Sequence, residues 1–179
     1  MHTVRSIPLG MDEWGREHFE TTRTEIGEAL YRLKYRNDRT QVEPLAEAIA
    51  GFIRKQKPLS DLAAIIPVPR SDIAQSFRPV ELVANAVGKM TNLPVPKNYL
   101  TKTKKTTPLK NIDERIRRRT ELKDAFKVAD SRFADSHVLI LDDLFRSGET
   151  LRAIASMLKS AKAAGKISVL TATATRSKR

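Results

Sequence analysis

The sequence predicts an α/β protein: a parallel sheet flanked by helices, with a helical N-terminal region. Three observations predict it. Residues 62–68 (LAAIIPV) and 137–142 (HVLILD) are short, continuous apolar runs, the pattern of parallel strands covered on both faces. Stretches with helical spacing of apolar residues alternate with them. The connections between strand and helix are short, which implies right-handed parallel crossovers.

Each element has its own signal. The first twenty residues show no clear period and cannot be placed. A helix is expected over residues 24–35, with Ile26, Leu30 and Leu33 on one face and Asn37-Asp38 as its stop. A second is expected over 41–55, with Leu45, Ala48, Ile49 and Phe52 as the buried stripe and Pro58 beyond its end. After the strand 62–68 comes a helix over 79–90, with Val80, Val83, Ala84 and Val87 inward and Pro79 near its first turn. Residues 95–101 read as a strand and 101–111 (TKTKKTTPLKN) as a loop without core residues. A charged helix over 113–122 and a short strand over 125–128 follow. The best strand is 137–142, then a helix over 149–164, a break at Gly165 and a last strand over 167–172. The expected division is a helical or hood region at 1–58, an α/β core at 59–175 and a basic tail at 176–179. There are no internal repeats.

At 179 residues the chain suffices for one domain with a real core. No apolar run approaches the roughly 18 residues of a membrane span, and residues 1–20 show no apolar core followed by a small-residue cleavage site, so export is not expected. The absence of cysteine excludes disulfides, thiolate zinc sites and a cysteine nucleophile, and it fits a cytoplasmic chain. The net charge of +12 is uneven: between Lys97 and Lys123 ten basic residues face three acidic ones, leaving +7. Such a segment either attracts polyanions or forms a solvated basic face.

The residues with the strongest chemical signal follow the strand at 137–142. Ligands of open parallel sheets bind where strands end and helices begin. That edge offers Asp142, Asp143 and the turn Arg146-Ser147-Gly148-Glu149-Thr150. Free N–H groups and the helix dipole favour a phosphate there. Gly148 permits close approach, and the hydroxyls of Ser147 and Thr150 add donors. The two carboxylates are placed to accept from sugar hydroxyls. The plainer alternative is that Asp143 ends the strand and Ser147 caps the helix. His2, His18 and His137 lack metal spacing, and His137 reads as structural. Trp14, Phe19, Tyr31 and Tyr35 read as core packing before a hood over the site. No serine–histidine–acid set is evident, and no general base is assigned.

LILDDLFRSGETL resembles the phosphoribosyl-pyrophosphate signature of the type I phosphoribosyltransferases. Within that superfamily the chain is most similar to the ComF (competence protein) group. The resemblance also rests on ALYRLKYRNDR, IIPVPRS, SFRPVELVANAV and the threonine- and proline-rich loop leading to RRRTELKDAFKV. It implies a type I phosphoribosyltransferase-like fold. It implies that Asp142 and Asp143 meet the ribose hydroxyls and that Arg146, Ser147, Gly148, Glu149 and Thr150 enclose the 5′-phosphate. Val68, Pro69 and Arg70 would meet the pyrophosphate, and Lys104 and Lys105 would close over it. Mg²⁺ would be held through the ligand rather than by the protein directly. An alternative, to which both this resemblance and the basic segment point, is a protein of DNA uptake or processing that binds single-stranded DNA, with Lys102, Arg117, Arg118 and Arg119 of that segment as candidate contacts, and a homodimer is an expected assembly. A sensor that binds a phosphoribosyl or nucleotide ligand without catalysis is a third reading. Two departures stand out: Arg146 replaces the usual threonine, and the four-cysteine zinc finger common in ComF proteins is missing.

Overall fold

The structure, a computed structural model, describes residues 3–11, 17–70, 77–103, 122 and 125–174. Strands β1 (Thr3–Met11) and β2 (Glu17–Arg23) form an antiparallel hairpin. Helix α1 (Glu25–Arg36) begins where the Thr24 hydroxyl accepts from the Gly27 N–H at 3.1 Å. It ends at Asn37, which takes the left-handed conformation (φ 55°) that asparagine tolerates better than most residues. A short 3₁₀ turn leads to α2 (Val42–Lys55). Strand β3 (Leu62–Pro67), helix α3 (Pro79–Thr91), and the short strands β4 (Leu100–Lys102) and β5 (Phe126–Val128) follow. Strand β6 (His137–Phe145), helix α4 (Glu149–Ser160) and strand β7 (Lys166–Ala174) complete the chain.

The main sheet runs β3-β6-β7, parallel throughout, with β6 in the centre. β4 and β5 pair separately and antiparallel. Side chains alternate between sheet faces, and each face has its own core. Ile66, Val138 and Ile140 meet Leu151, Ile154 and Leu158 of α4, together with Tyr99, Leu122 and Phe126. Leu62, Ile65, Leu139 and Leu141 meet Leu30 and Leu33 of α1, Leu45, Ile49 and Ile53 of α2, and Val83 and Val87 of α3. Burial on both sides explains why the strands read as unbroken apolar runs. A register shift after Leu62 explains why Leu62 and Ala64, two residues apart, serve opposite faces.

Several expectations are corrected. The N-terminal helices are preceded by the β1–β2 hairpin, which the sequence left unplaced. In α2 the buried set is Leu45, Ala46, Ile49, Ala50 and Ile53, while Ala48 is exposed and Phe52 is 46% exposed. Turning the small Ala46 and Ala50 inward lets neighbouring helices approach. The strand expected over 95–101 is reduced to Leu100–Lys102. The preceding segment touches β3 through one bond, from the Ile65 N–H to the Pro94 carbonyl at 3.0 Å. Gly88 permits that return of the chain: a Cβ there would lie 2.6 Å from Val95 Cγ2 and 2.7 Å from the Leu93 carbonyl oxygen. Helix α4 stops at Ser160, short of 164, and Tyr35 is exposed at 62% rather than in the core. The charged helix expected over 113–122 lies outside the described residues except for the buried Leu122. Trp14 and the basic tail lie outside them as well.

Candidate functional site

The carboxyl end of β6 is longer than its sequence suggests. Leu144 and Phe145 still pair with Thr173 and Ala174 of β7. The Thr173 hydroxyl donates to the Asp143 carbonyl at 3.0 Å. The turn is therefore confined to Arg146, Ser147 and Gly148 before α4 starts at Glu149. Gly148 has φ 73°, and a Cβ there would lie 2.9 Å from the Phe145 ring. The positive φ favours glycine, and any side chain there would also have to push the exposed Phe145 ring aside. Gly148, not Ser147, is the residue that caps α4, and no side chain caps it. Among the described residues, the backbone N–H groups of Ser147, Gly148 and Thr150 have no hydrogen-bond acceptor. Arg146 is exposed, and Ser147 and Thr150 are half-buried. Glu149 is buried, with its carboxylate accepting from Arg152 at 2.8 Å. The turn thus presents donors at the positive end of a twelve-residue helix.

The two acids differ in environment. Asp143 pairs with Lys34 of α1, Nζ to Oδ2 2.5 Å, with both side chains largely covered. Asp142 accepts from the Asp143 N–H at 2.9 Å. Burial, and then the neighbouring Asp143 charge, pushes its carboxyl up to about 6, against the opposing pull of that hydrogen bond and of Lys34. Neighbours on a strand leave opposite faces, so Asp143 reaches the side that α1 covers. Lys34 is the residue that sequence reasoning missed. Its only local signal was a cation in the last turn of α1.

At the carboxyl end of β3, one strand away, a cavity of about 410 Å³ opens between that strand, the first turns of α3 and residues 95–102. Pro69 and Arg70 line it with Arg78, Lys97 and Lys102, and Glu81, Asn85 and Thr101 complete its polar wall. Arg78 is paired with Glu81 at 2.8 Å. The Val68 N–H donates to the Leu141 carbonyl at 2.9 Å, which ties this strand end to β6. The Val68 side chain is buried in the core, so only its backbone faces the loop. Lys104, Lys105, Arg117, Arg118 and Arg119 lie outside the described residues. Among the described residues no group of three histidines and acids converges as a metal site. No helix among them is long and apolar enough to cross a membrane.

No family model matches the chain, and no curated relative matches it. Among solved structures, a hypoxanthine phosphoribosyltransferase from Staphylococcus aureus is similar at 9% identity and TM-score 0.48, over 79% of this chain and 77% of that one. The Trypanosoma cruzi hypoxanthine phosphoribosyltransferase is similar at 15% identity and TM-score 0.46, over 84% and 75%. The Leishmania enzyme (L. donovani hypoxanthine-guanine phosphoribosyltransferase) is similar at 16% and 0.46, over 74% and 71%. Scores of this size fix neither family nor activity, so the chain's own residues must carry any assignment.

Proposed function

We propose that this chain is a phosphoribosyltransferase-like protein of the ComF type. It binds phosphoribosyl pyrophosphate with Mg²⁺ and transfers the phosphoribosyl group to an acceptor. One observation carries the reading: the acid pair, the donor-rich turn at 146–150 and the cation-lined cavity share one edge of the sheet, a strand apart. Adjacent strands are roughly 4.8 Å apart, a spacing that a single sugar phosphate bridges. The 5′-phosphate takes the N–H groups at Ser147, Gly148 and Thr150, with Arg146 on its outer side. The ribose hydroxyls donate to Asp142 and Asp143. The pyrophosphate extends toward Arg70 and Lys102 at the cavity wall, and Lys104 and Lys105 would close over it.

In the transfer, the bond from the ribose C1 to the pyrophosphate oxygen breaks as the acceptor nucleophile bonds to C1. The cations at the cavity stabilise the charge gathering on the leaving group, and positioning does the remainder. Mg²⁺, a hard cation that favours phosphate oxygens with few protein ligands, would be held through the ligand and would supply further positive charge there.

The test is calorimetric titration with phosphoribosyl pyrophosphate and Mg²⁺, with single-stranded DNA as the comparison ligand. Saturable binding of the sugar phosphate is expected; its absence in folded protein overturns the reading. Single strands bound with a log–log salt slope of about −0.7 per neutralised phosphate, and no sugar-phosphate binding, would favour the DNA assignment of Arg117, Arg118 and Arg119.

A further inference from the structure

The amino-terminal end of the sheet holds a second polar cluster that the reading above does not use. His137 opens β6, and its side chain is 3% exposed. Its Nδ1 lies 2.6 Å from Asp61 Oδ1, and its Nε2 lies 2.8 Å from Ser168 Oγ. Asp61 precedes β3 and Ser168 stands near the start of β7, so the cluster joins the beginnings of all three parallel strands. Lys166 Nζ lies 3.3 Å from Asp61 Oδ2 and 3.3 Å from the Pro58 carbonyl, which steadies the acid from its outer side.

The protonation pattern follows from the partners. The hydrogen bond with His137 is the largest influence holding the Asp61 carboxyl below its usual range. An ionised carboxylate only accepts, so Nδ1 carries the proton that faces Asp61. A neutral imidazole in that tautomer has its lone pair at Nε2, and the Ser168 hydroxyl donates to it. The order acid, imidazole, hydroxyl is the one that activates a serine as a nucleophile.

The serine is also reachable. Ser168 is only partly buried. Among the described residues no strand pairs with the outer edge of β7. Backbone N–H groups alternate between the two edges of a strand. An N–H turned away from β6 therefore lies within one residue of Ser168, where it can donate to a developing oxyanion.

We propose that Asp61, His137 and Ser168 form a nucleophilic site, separate from the Asp142–Asp143 edge, that accepts the acyl group of a small activated ester. Ser168 Oγ bonds to the carbonyl carbon while its proton passes to His137 Nε2. The bond to the leaving group then breaks, and the departing oxygen takes that proton. Water repeats the sequence, releasing the carboxylic acid and restoring the serine. Asp61 is a positioning residue that fixes the tautomer.

The experiment treats the full chain with diisopropyl fluorophosphate and locates the label by intact mass and peptide mapping. One label per chain on Ser168 is expected, and none at that position in Ser168→Ala. Asp61→Asn, at a side chain 59% exposed, should fold as the native chain does by circular dichroism. Its labelling should be at least tenfold slower, because an amide can present N–H to Nδ1 and reverse the tautomer. Asp61→Glu should recover part of the rate. An unlabelled Ser168 in folded native protein overturns the proposal, and so does labelling of Asp61→Asn at the native rate.

Discussion

The two ends of β6 share one strand and the same neighbours, yet they treat their polar groups in opposite ways. At the amino end, both ring nitrogens of His137 are matched within the protein, by Asp61 and Ser168. At the carboxyl end, Asp142 is half-buried with its carboxyl pushed up to about 6, and Asp143 has Lys34 beside it. The turn beyond leaves N–H groups of Ser147, Gly148 and Thr150 without acceptors among the described residues. Buried polar groups normally find partners. A complete arrangement can relay a proton, whereas unmatched N–H groups are the donors that the proposed phosphate would use.

The comparison can be broken most directly at the acids. Replacing Asp142→Asn together with Asp143→Asn removes two charged acceptors, each worth roughly 1.5–3 kcal/mol in favourable cases. Calorimetry should show phosphoribosyl pyrophosphate affinity falling by about a hundredfold or more. Unchanged affinity in a folded double variant removes the ribose assignment.

Asp142→Asn alone sharpens the contrast through stability. The folded carboxyl titrates near 6 against an ordinary 3.8, so between those pH values the folded chain keeps a proton that the unfolded chain has released. Stability attributable to this group therefore falls as pH rises through that window, by about 2–3 kcal/mol at most. Urea unfolding should show the variant more stable than the native chain at pH 7.5 and nearly equal to it at pH 4. An equal difference at both values would show that the carboxyl is not perturbed.

Lys34→Met should cost about 1–2 kcal/mol at pH 7.5, because it strands a largely covered carboxylate without its cation. A midpoint of denaturation identical to the native one would show that the pair contributes nothing. The smallest effect is expected at Arg146, which is exposed. Arg146→Ala should weaken phosphoribosyl pyrophosphate binding by roughly 1 kcal/mol, and Arg146→Thr should restore part of it through the hydroxyl. Tighter binding by the threonine variant would mean that the arginine obstructs the turn. Three equal affinities would mean that it serves neither purpose.

The strand, turn and helix at 137–160 were legible because an apolar run, two acids and a glycine are local signals. Helix α1 was legible from its spacing and from Asn37. The β1–β2 hairpin was not: Pro8 and Gly10 break any alternation, and among the described residues its strands pair with each other and with no other strand. In α2, residues 45, 48, 49 and 52 describe as good an apolar arc as 45, 46, 49, 50 and 53, so only packing chooses between them. Lys34 reaches Asp143, and Asp61 reaches Ser168 through His137, across distant parts of the chain. No spacing rule encodes such encounters. The absence of an evident serine–histidine–acid set in the sequence was a statement about order, and the fold supplies the proximity.

The packing of α1 and α2 on one face of the sheet sets a limit on portability. Residues 59–174 hold the acid pair, the turn and the cavity, and they invite transfer as a minimal binding module. Cut there, the module would leave the side chains of Ile65, Leu139 and Leu141 without the cover that Leu30, Leu33, Leu45 and Ile49 provide. It would expose an apolar patch of the kind that drives association, and Asp143 would lose Lys34. A graft that keeps this edge as it stands must therefore carry residues 24–55 as well, because the edge and its support share one core.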